Sequence, residues 1–175
     1  PLASLARLDP DERIVAVVPM DRAEAEATLA IATVEGRIKR VTLSDLAGVN
    51  LDAVTVIGLM GQDAVAGARP VRENEQIVLI TAQGRAIRFA AADVRVQGLA
   101  AQGMKGIGLR DGDAVVGVAV PQEGADLLIV TAQGFAKRSP LSEYSVQGRG
   151  GQGTLTVDPS KSALAGPIVA AEVAR

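Results

Sequence analysis

The chain has 175 residues, 48% of them hydrophobic, with 18 basic and 20 acidic side chains and a net charge of −2. It holds no Cys and no His, which excludes disulfides and thiolate metal sites and removes the commonest general base and metal ligand. Aromatic residues are 2% of the chain, with Phe89, Phe135 and Tyr144 the whole set, so base stacking on aromatic platforms is nearly excluded as a binding mode.

Taken in chain order, the elements repeat. Arg13–Val18 reads as a strand that ends at Pro19, a residue that cannot donate to a continuing ladder. Leu29–Thr33 is a nearly continuous apolar run, suited to a strand buried on both faces. The pair Glu35-Gly36 is a tight hairpin turn, and Arg37–Thr42 is the returning strand. A polar turn at Ser44-Asp45 leads through a loop to a fourth strand near Val54–Ile57. The same order then recurs. Val65–Arg69 runs to Pro70, the second strand ends at Thr81, Gln83-Gly84 turns, and Arg85–Ala90 returns. A turn at Ala92-Asp93 precedes a fourth strand at Ile107–Leu109. In the third unit Asp113–Val120 runs to Pro121, Gln133-Gly134 turns, Phe135–Ser139 returns, and Leu141–Tyr144 leads to Leu155–Val157. Gly36, Gly84 and Gly134 are spaced by 48 and 50, as are Thr33, Thr81 and Thr131. The expected units are roughly 11–62, 63–112 and 113–162, with 163–175 the start of a further one. Four antiparallel strands per period of about 50 residues is an all-β, propeller-type array.

The returning strands end in basic residues at matching places: Lys39 and Arg40, Arg88, and Lys137 and Arg138. Two readings stay open. Charges on an edge strand deter pairing between sheets; a ring of cations, one cluster per unit, suits the phosphates of a curved nucleic-acid backbone. Residues 1–84 hold 8 basic and 12 acidic side chains, residues 85–153 hold 8 and 6, so the later units are the more basic. The loop Gln147-Gly-Arg-Gly-Gly-Gln-Gly153 is the sharpest local feature. Its glycines let backbone N–H groups approach an anion, and Arg149 adds a charged fork; a plain glycine-rich corner is the alternative. Asp11-Glu12, Asp63, Asp111 and Asp113 recur singly at unit starts, too dispersed for a metal site, and are read as hydrogen-bonding groups at unit junctions or solvated turn residues.

Tyr144-Ser-Val-Gln147-Gly-Arg-Gly-Gly-Gln-Gly153 resembles the Gln-Arg-Arg-Gly-Gly-Lys-Gly box of gyrase A C-terminal domains. The Thr131–Tyr144 segment before it resembles the strand pair that leads into that box, and Gly98 to Leu109 resembles a degenerate neighbouring box. The resemblance spans essentially the whole chain. It implies a β-pinwheel, a disc of four-stranded blades, usually six, with strands shared between neighbours, of which residues 1–175 are a part. Gly148 stands where that family has Arg and Gln152 where it has Lys, so Arg149 alone keeps its charge. Asn50-Leu-Asp-Ala-Val fills the place of a box in the first unit.

The resemblance further implies a DNA-binding and DNA-bending module of a type IIA topoisomerase, supporting negative supercoiling. Lys39, Arg40, Arg85, Arg88, Lys105, Lys137 and Arg138 would line the rim with Gln147, Arg149, Gly150, Gly151, Gln152 and Gly153. The partners would be double-stranded DNA of largely any sequence, the gyrase B subunit, and the remainder of the gyrase A polypeptide. No catalytic residue is expected in this chain; Tyr144 is assigned to packing. No cofactor is expected either, ATP and Mg being handled elsewhere in the holoenzyme. A bacterial cytoplasmic, nucleoid-associated location follows, and no segment of about 18 apolar residues could span a bilayer. The alternatives are the corresponding C-terminal domain of topoisomerase IV and a protein-interaction propeller without DNA binding.

Overall fold

The structure, a computed structural model, describes residues 12–19, 27–47, 54–158, 160 and 164–174. Asp11 and the Asn50–Ala53 stretch lie outside them. The strands are β1 (Thr28–Thr33), β2 (Arg37–Thr42), β3 (Val65–Val71), β4 (Gln76–Thr81), β5 (Arg85–Ala90), β6 (Met104–Lys105), β7 (Val115–Ala119), β8 (Asp126–Thr131), β9 (Ala136–Pro140), β10 (Thr154–Leu155) and β11 (Ile168–Ala174). A five-residue helix, α1 (Leu43–Ala47), follows β2, and single 3-10 turns at Ala91–Asp93 and Leu141–Glu143 follow β5 and β9. These short helices occupy the places where polar turns are expected.

The three hairpins form at the repeated glycines. Gly36, Gly84 and Gly134 have φ of +84°, +84° and +81°, a region that costs an L side chain but not glycine. The repeated threonine closes the same turn: the hydroxyls of Thr33, Thr81 and Thr131 accept from the backbone N–H of Arg37, Arg85 and Phe135 at 3.2, 3.1 and 3.3 Å.

Each sheet is built from two sequence units. The orders are β3-β1-β2-β6, β10-β5-β4-β7 and β11-β8-β9, all antiparallel. A unit supplies its central hairpin, and the next unit adds its first strand on one side and its short fourth strand on the other. The segment at the chain's end, Ile168–Ala174, fills the first-strand place for the third hairpin. Three details differ from expectation. Residues 12–19 form no strand, and neither do Val54–Ile57. The fourth strands are Met104–Lys105 and Thr154–Leu155, starting before the apolar pairs that pattern alone would select. Finally, β3 runs through Pro70, which pairs with Leu29.

The apolar run of each second strand has a simple cause: the blades stack. Ile77 and Leu79 of β4 pack with Ala30, Ile38 and Ile107 on the first sheet's side, while Val78 and Ile80 pack with Leu127, Ile129 and Tyr144 on the third's. Both faces of β4 are therefore dry. Burying one Leu or Ile contributes roughly 1.5–3 kcal/mol, so this stack of aliphatic side chains is the main source of stability. Tyr144 lies in that core, as its assignment to packing requires, and burial pushes its hydroxyl above the ordinary tyrosine range.

Candidate nucleic-acid interface

The candidate cations sort into two groups by what their nitrogen atoms touch. Lys39 and Arg40 are buried, 0% and 2% exposed, and do not present their charge to solvent. Lys39 Nζ donates to the carbonyls of Val56, Leu99 and Ala101 at 2.9, 2.6 and 3.1 Å. Its burial pulls the ammonium below the ordinary lysine range. Arg40 Nε donates to the Val94 carbonyl at 2.7 Å and Nη2 pairs with Glu73, leaving Nη1 with no protein acceptor among the described residues.

Arg88 repeats the Arg40 arrangement one unit later. Its Nη1 donates to the carbonyls of Leu141 and Tyr144 at 2.7 and 3.3 Å, and its Nε to Gln76 Oε1 at 2.6 Å. Val94 and Tyr144 each end the 3-10 turn of the following unit. The backbone reinforces the same joint, with Gln97 N donating to Arg40 O at 2.9 Å and Gln147 N to Arg88 O at 2.8 Å. Arg40 and Arg88 are thus latches that tie one hairpin to the next unit's turn. The edge-protection reading has no force here, because β2 and β5 are interior strands.

A second pair of latches sits at the hairpin mouth. Arg85 Nη1 donates to the carbonyls of Gln152 and Gly153 at 3.2 and 3.1 Å. Arg37 does the same to Gln102 and Gly103, at 2.8 Å each. Arg37 is outside the set expected from sequence, although its offset from Gly36 equals that of Arg85 from Gly84 and marks it as the equivalent residue. Asp63 and Asp113 are a third kind of tie. Each Oδ1 accepts from its neighbour's N–H and, at 2.9 Å, from the preceding hairpin turn, at Glu35 and Gln83 respectively. This is the junction role expected of them.

The remaining candidate cations are exposed. Lys137 donates to the Thr156 carbonyl at 2.7 Å, and Arg138 pairs through Nε with Asp126. Lys105 is exposed on β6. Arg149 is exposed and its guanidinium is fixed by two carbonyls, Nε to Asp93 at 2.9 Å and Nη1 to Lys105 at 3.0 Å. The glycines of the third loop have a steric rationale. A Cβ on Gly153 would lie 2.5 Å from the Ala86 carbonyl oxygen, and one on Gly103 would lie 2.7 Å from that of Ile38. The loops therefore press against the preceding β5 and β2. Gly150, Gly151, Gln147 and Gln152 line the same loop, with Gly150 N donating to Gly106 O and Gly108 N to Gly151 O, both at 2.7 Å. Among the described residues no group of three or more acidic side chains is placed to hold a metal ion, and no helix is long and apolar enough to cross a membrane.

A family model described as "DNA gyrase C-terminal domain, beta-propeller" matches residues 27–50, 75–122 and 125–158. The DNA gyrase A protein of Dehalogenimonas lykanthroporepellens is 37% identical over 105 residues, and that of Halalkalibacterium halodurans is 36% identical over 106. These matches cover 60% and 61% of this chain but 13% of each relative. Among solved structures, a DNA gyrase A C-terminal domain superposes with a TM-score of 0.74 at 31% identity, covering 84% of this chain and 48% of the other. The C-terminal domain of a DNA topoisomerase IV superposes at 0.87 over 99% of this chain and 54% of the other; at 23% identity it attests the fold.

Proposed function

We propose that this chain, which belongs to the DNA gyrase C-terminal domain family of β-propellers, binds double-stranded DNA along its rim and bends it. The observation that carries the reading is where the exposed candidate cations lie. Lys105, Lys137, Arg138 and Arg149 sit on or beside the outer strands of successive sheets. None is on β3, β7 or β11, the inner strands that pack against one another. A cationic rim neutralises phosphates along the inside of a bend without reading bases, so binding is largely independent of sequence. The chain is non-catalytic under this reading. Strand passage, ATP and Mg belong to other parts of a topoisomerase, in the rest of the gyrase A polypeptide and in the B subunit, with the bacterial cytoplasm as the setting.

The latches lower the expected strength. With about six phosphates contacted, affinity would fall roughly a thousandfold between 50 and 200 mM salt; with about four, roughly a hundredfold. Bending a short duplex costs on the order of 1–6 kcal/mol, which those few contacts must exceed. The test is a salt series on a mixed-sequence duplex carrying donor and acceptor dyes at its ends. A steep salt dependence with a shortened end-to-end distance is expected. Absence of binding at low salt overturns the reading.

One observation favours a second reading, a protein-docking propeller. The third sheet borders a hollow of 450 Å³ lined by Ile129, Phe135, Ala136, Val157 and Leu164, with Phe135 and Leu164 51% and 77% exposed. The net charge of −2 is in keeping with it. Such a module would show no salt-dependent affinity for duplex DNA.

A further inference from the structure

The second and third glycine loops each look incomplete by themselves. The second has Leu99 at the place of Arg149, and the third has Leu155 at the place of Lys105. The fold joins what the sequence separates. Arg149 reaches back from the third loop and donates to the backbone carbonyl of Lys105 itself. The Lys105 side chain runs the other way across the third loop: its Cδ lies 3.7 Å from where a Cβ on Gly150 would be, and its Nζ 3.5 Å from that of Gly108. Two backbone bonds, Gly150 N to Gly106 O and Gly108 N to Gly151 O, hold the two loops in this register.

We infer that Lys105 and Arg149 form one composite phosphate site, each supplying the cation that the other's loop lacks, and that it holds the backbone of duplex DNA. The inference rests on the DNA-binding reading above and says where on the rim a phosphate is gripped. Its chemistry follows from the hydrogen bonds already made. Arg149 commits Nε and one hydrogen of Nη1 to carbonyls, so the fork is held in place while Nη2 stays free, and little side-chain entropy remains to be lost on binding. Lys105 Nζ has no hydrogen-bond acceptor among the described residues and forms no ion pair there. A phosphodiester carries one negative charge and two non-bridging oxygens, enough for one charged bond from each cation. Asp93 meets this cluster through its backbone carbonyl, which holds Arg149, and among the described residues neither Lys105 nor Arg149 forms an ion pair. The preceding junction has no such pair, since Leu99 there faces a segment with Thr55 at the place of Lys105.

The experiment uses the 175-residue chain and a mixed-sequence duplex, titrated from 50 to 200 mM salt, with Lys105→Gln, Arg149→Gln, the double variant, Arg149→Lys and Arg110→Gln. Both sites are exposed, and urea midpoints check that folding is kept. Each neutralising single change weakens binding about tenfold. Because both cations serve one phosphate, the double variant is weaker than either single by far less than the product of the two, and its salt slope flattens by about one unit, not two. Arg149→Lys keeps the charge and loses the fixed fork, so affinity falls while the slope is retained. Arg110→Gln, an exposed arginine outside the site, leaves the coupling between Lys105 and Arg149 unchanged. Additive losses with a slope change of about two units overturn the shared site in favour of separate contacts. Unaltered binding in both single variants overturns it while leaving the DNA reading intact. A wild-type chain that binds no DNA at 50 mM salt removes both.

Discussion

The first two sheets have four strands each and the third has three, and this difference changes what equivalent residues do. β2 and β5 lie inside their sheets and are largely buried, whereas β9 is an edge whose residues are exposed except for Ser139. Arg40, Arg88 and Arg138 occupy one position in three repeats. The first two hold the turn of a following unit, while Arg138, among the described residues, pairs only with Asp126, just as Arg88 bonds Gln76 at the matching place. Gly36 and Gly84 are pressed by Ile107 and Val157 of the next unit, but none of the described residues lies within 4 Å of a Cβ on Gly134. Burial on β8 alternates for the same reason that it is continuous on β4: no further blade among the described residues covers its second face. A position in this repeat acquires its role from the neighbour, not from its own unit.

The largest break in that parallel comes from removing the arginine. Arg40→Ala leaves the Val94 carbonyl without its donor and empties a buried volume, a loss of about 3 kcal/mol. Arg138→Ala removes an exposed ion pair and costs less than about 1 kcal/mol. Urea unfolding of the two variants measures the gap, and equal losses refute the latch assignment. Next in size is the glycine pair. Gly134→Ala meets only the left-handed backbone penalty, about 1 kcal/mol. Gly36→Ala adds a Cβ 3.1 Å from both the side chain and the carbonyl of Ile107, and is expected to lose about twice as much.

A subtler test uses pH on Lys39. Burial lowers its affinity for a proton in the folded chain. Below that folded value both states hold the proton and stability is insensitive to it. Between it and the ordinary 10.5 the unfolded chain keeps a proton that the folded one has released, so stability climbs with pH; above 10.5 it levels off. Tyr144 works in the opposite sense, its raised value costing stability as pH climbs past 10.0. In a Tyr144→Phe background the alkaline climb is therefore expected to stand alone, and Lys39→Met to abolish it.

The smallest effect is at Phe135, which stands where Arg37 and Arg85 are latches. Phe135→Arg has no loop carbonyl to reach among the described residues, and is expected to change the unfolding free energy by less than about 0.5 kcal/mol.

Much of this fold is legible from local chemistry. The glycine–threonine hairpin turns, the doubly buried second strands and the period of about 50 residues follow from residue type and spacing. The exchange of strands between units does not, because β6 and β10 are two-residue strands whose partners are fixed by where the loops land. The candidate site divides along the same line. Arg40 and Arg138 have the same local setting, a basic pair near the end of a returning strand, and only the presence of a covering turn separates a buried tie from an exposed charge. Lys105 and Arg149 lie 44 positions apart, and their meeting depends on how two loops stack.

The division of each sheet between two units bears on how such an array changes over generations. The first two junctions are made by the same parts: a hairpin from one period, a first strand and a short fourth strand from the next. Copying or losing one whole period of about 50 residues leaves each remaining joint of the same kind, whereas a cut at any other phase strands a half-built sheet. The gene for this chain can lengthen or shorten by whole repeats without inventing a new interface, and each added copy is free to trade a latch for a contact.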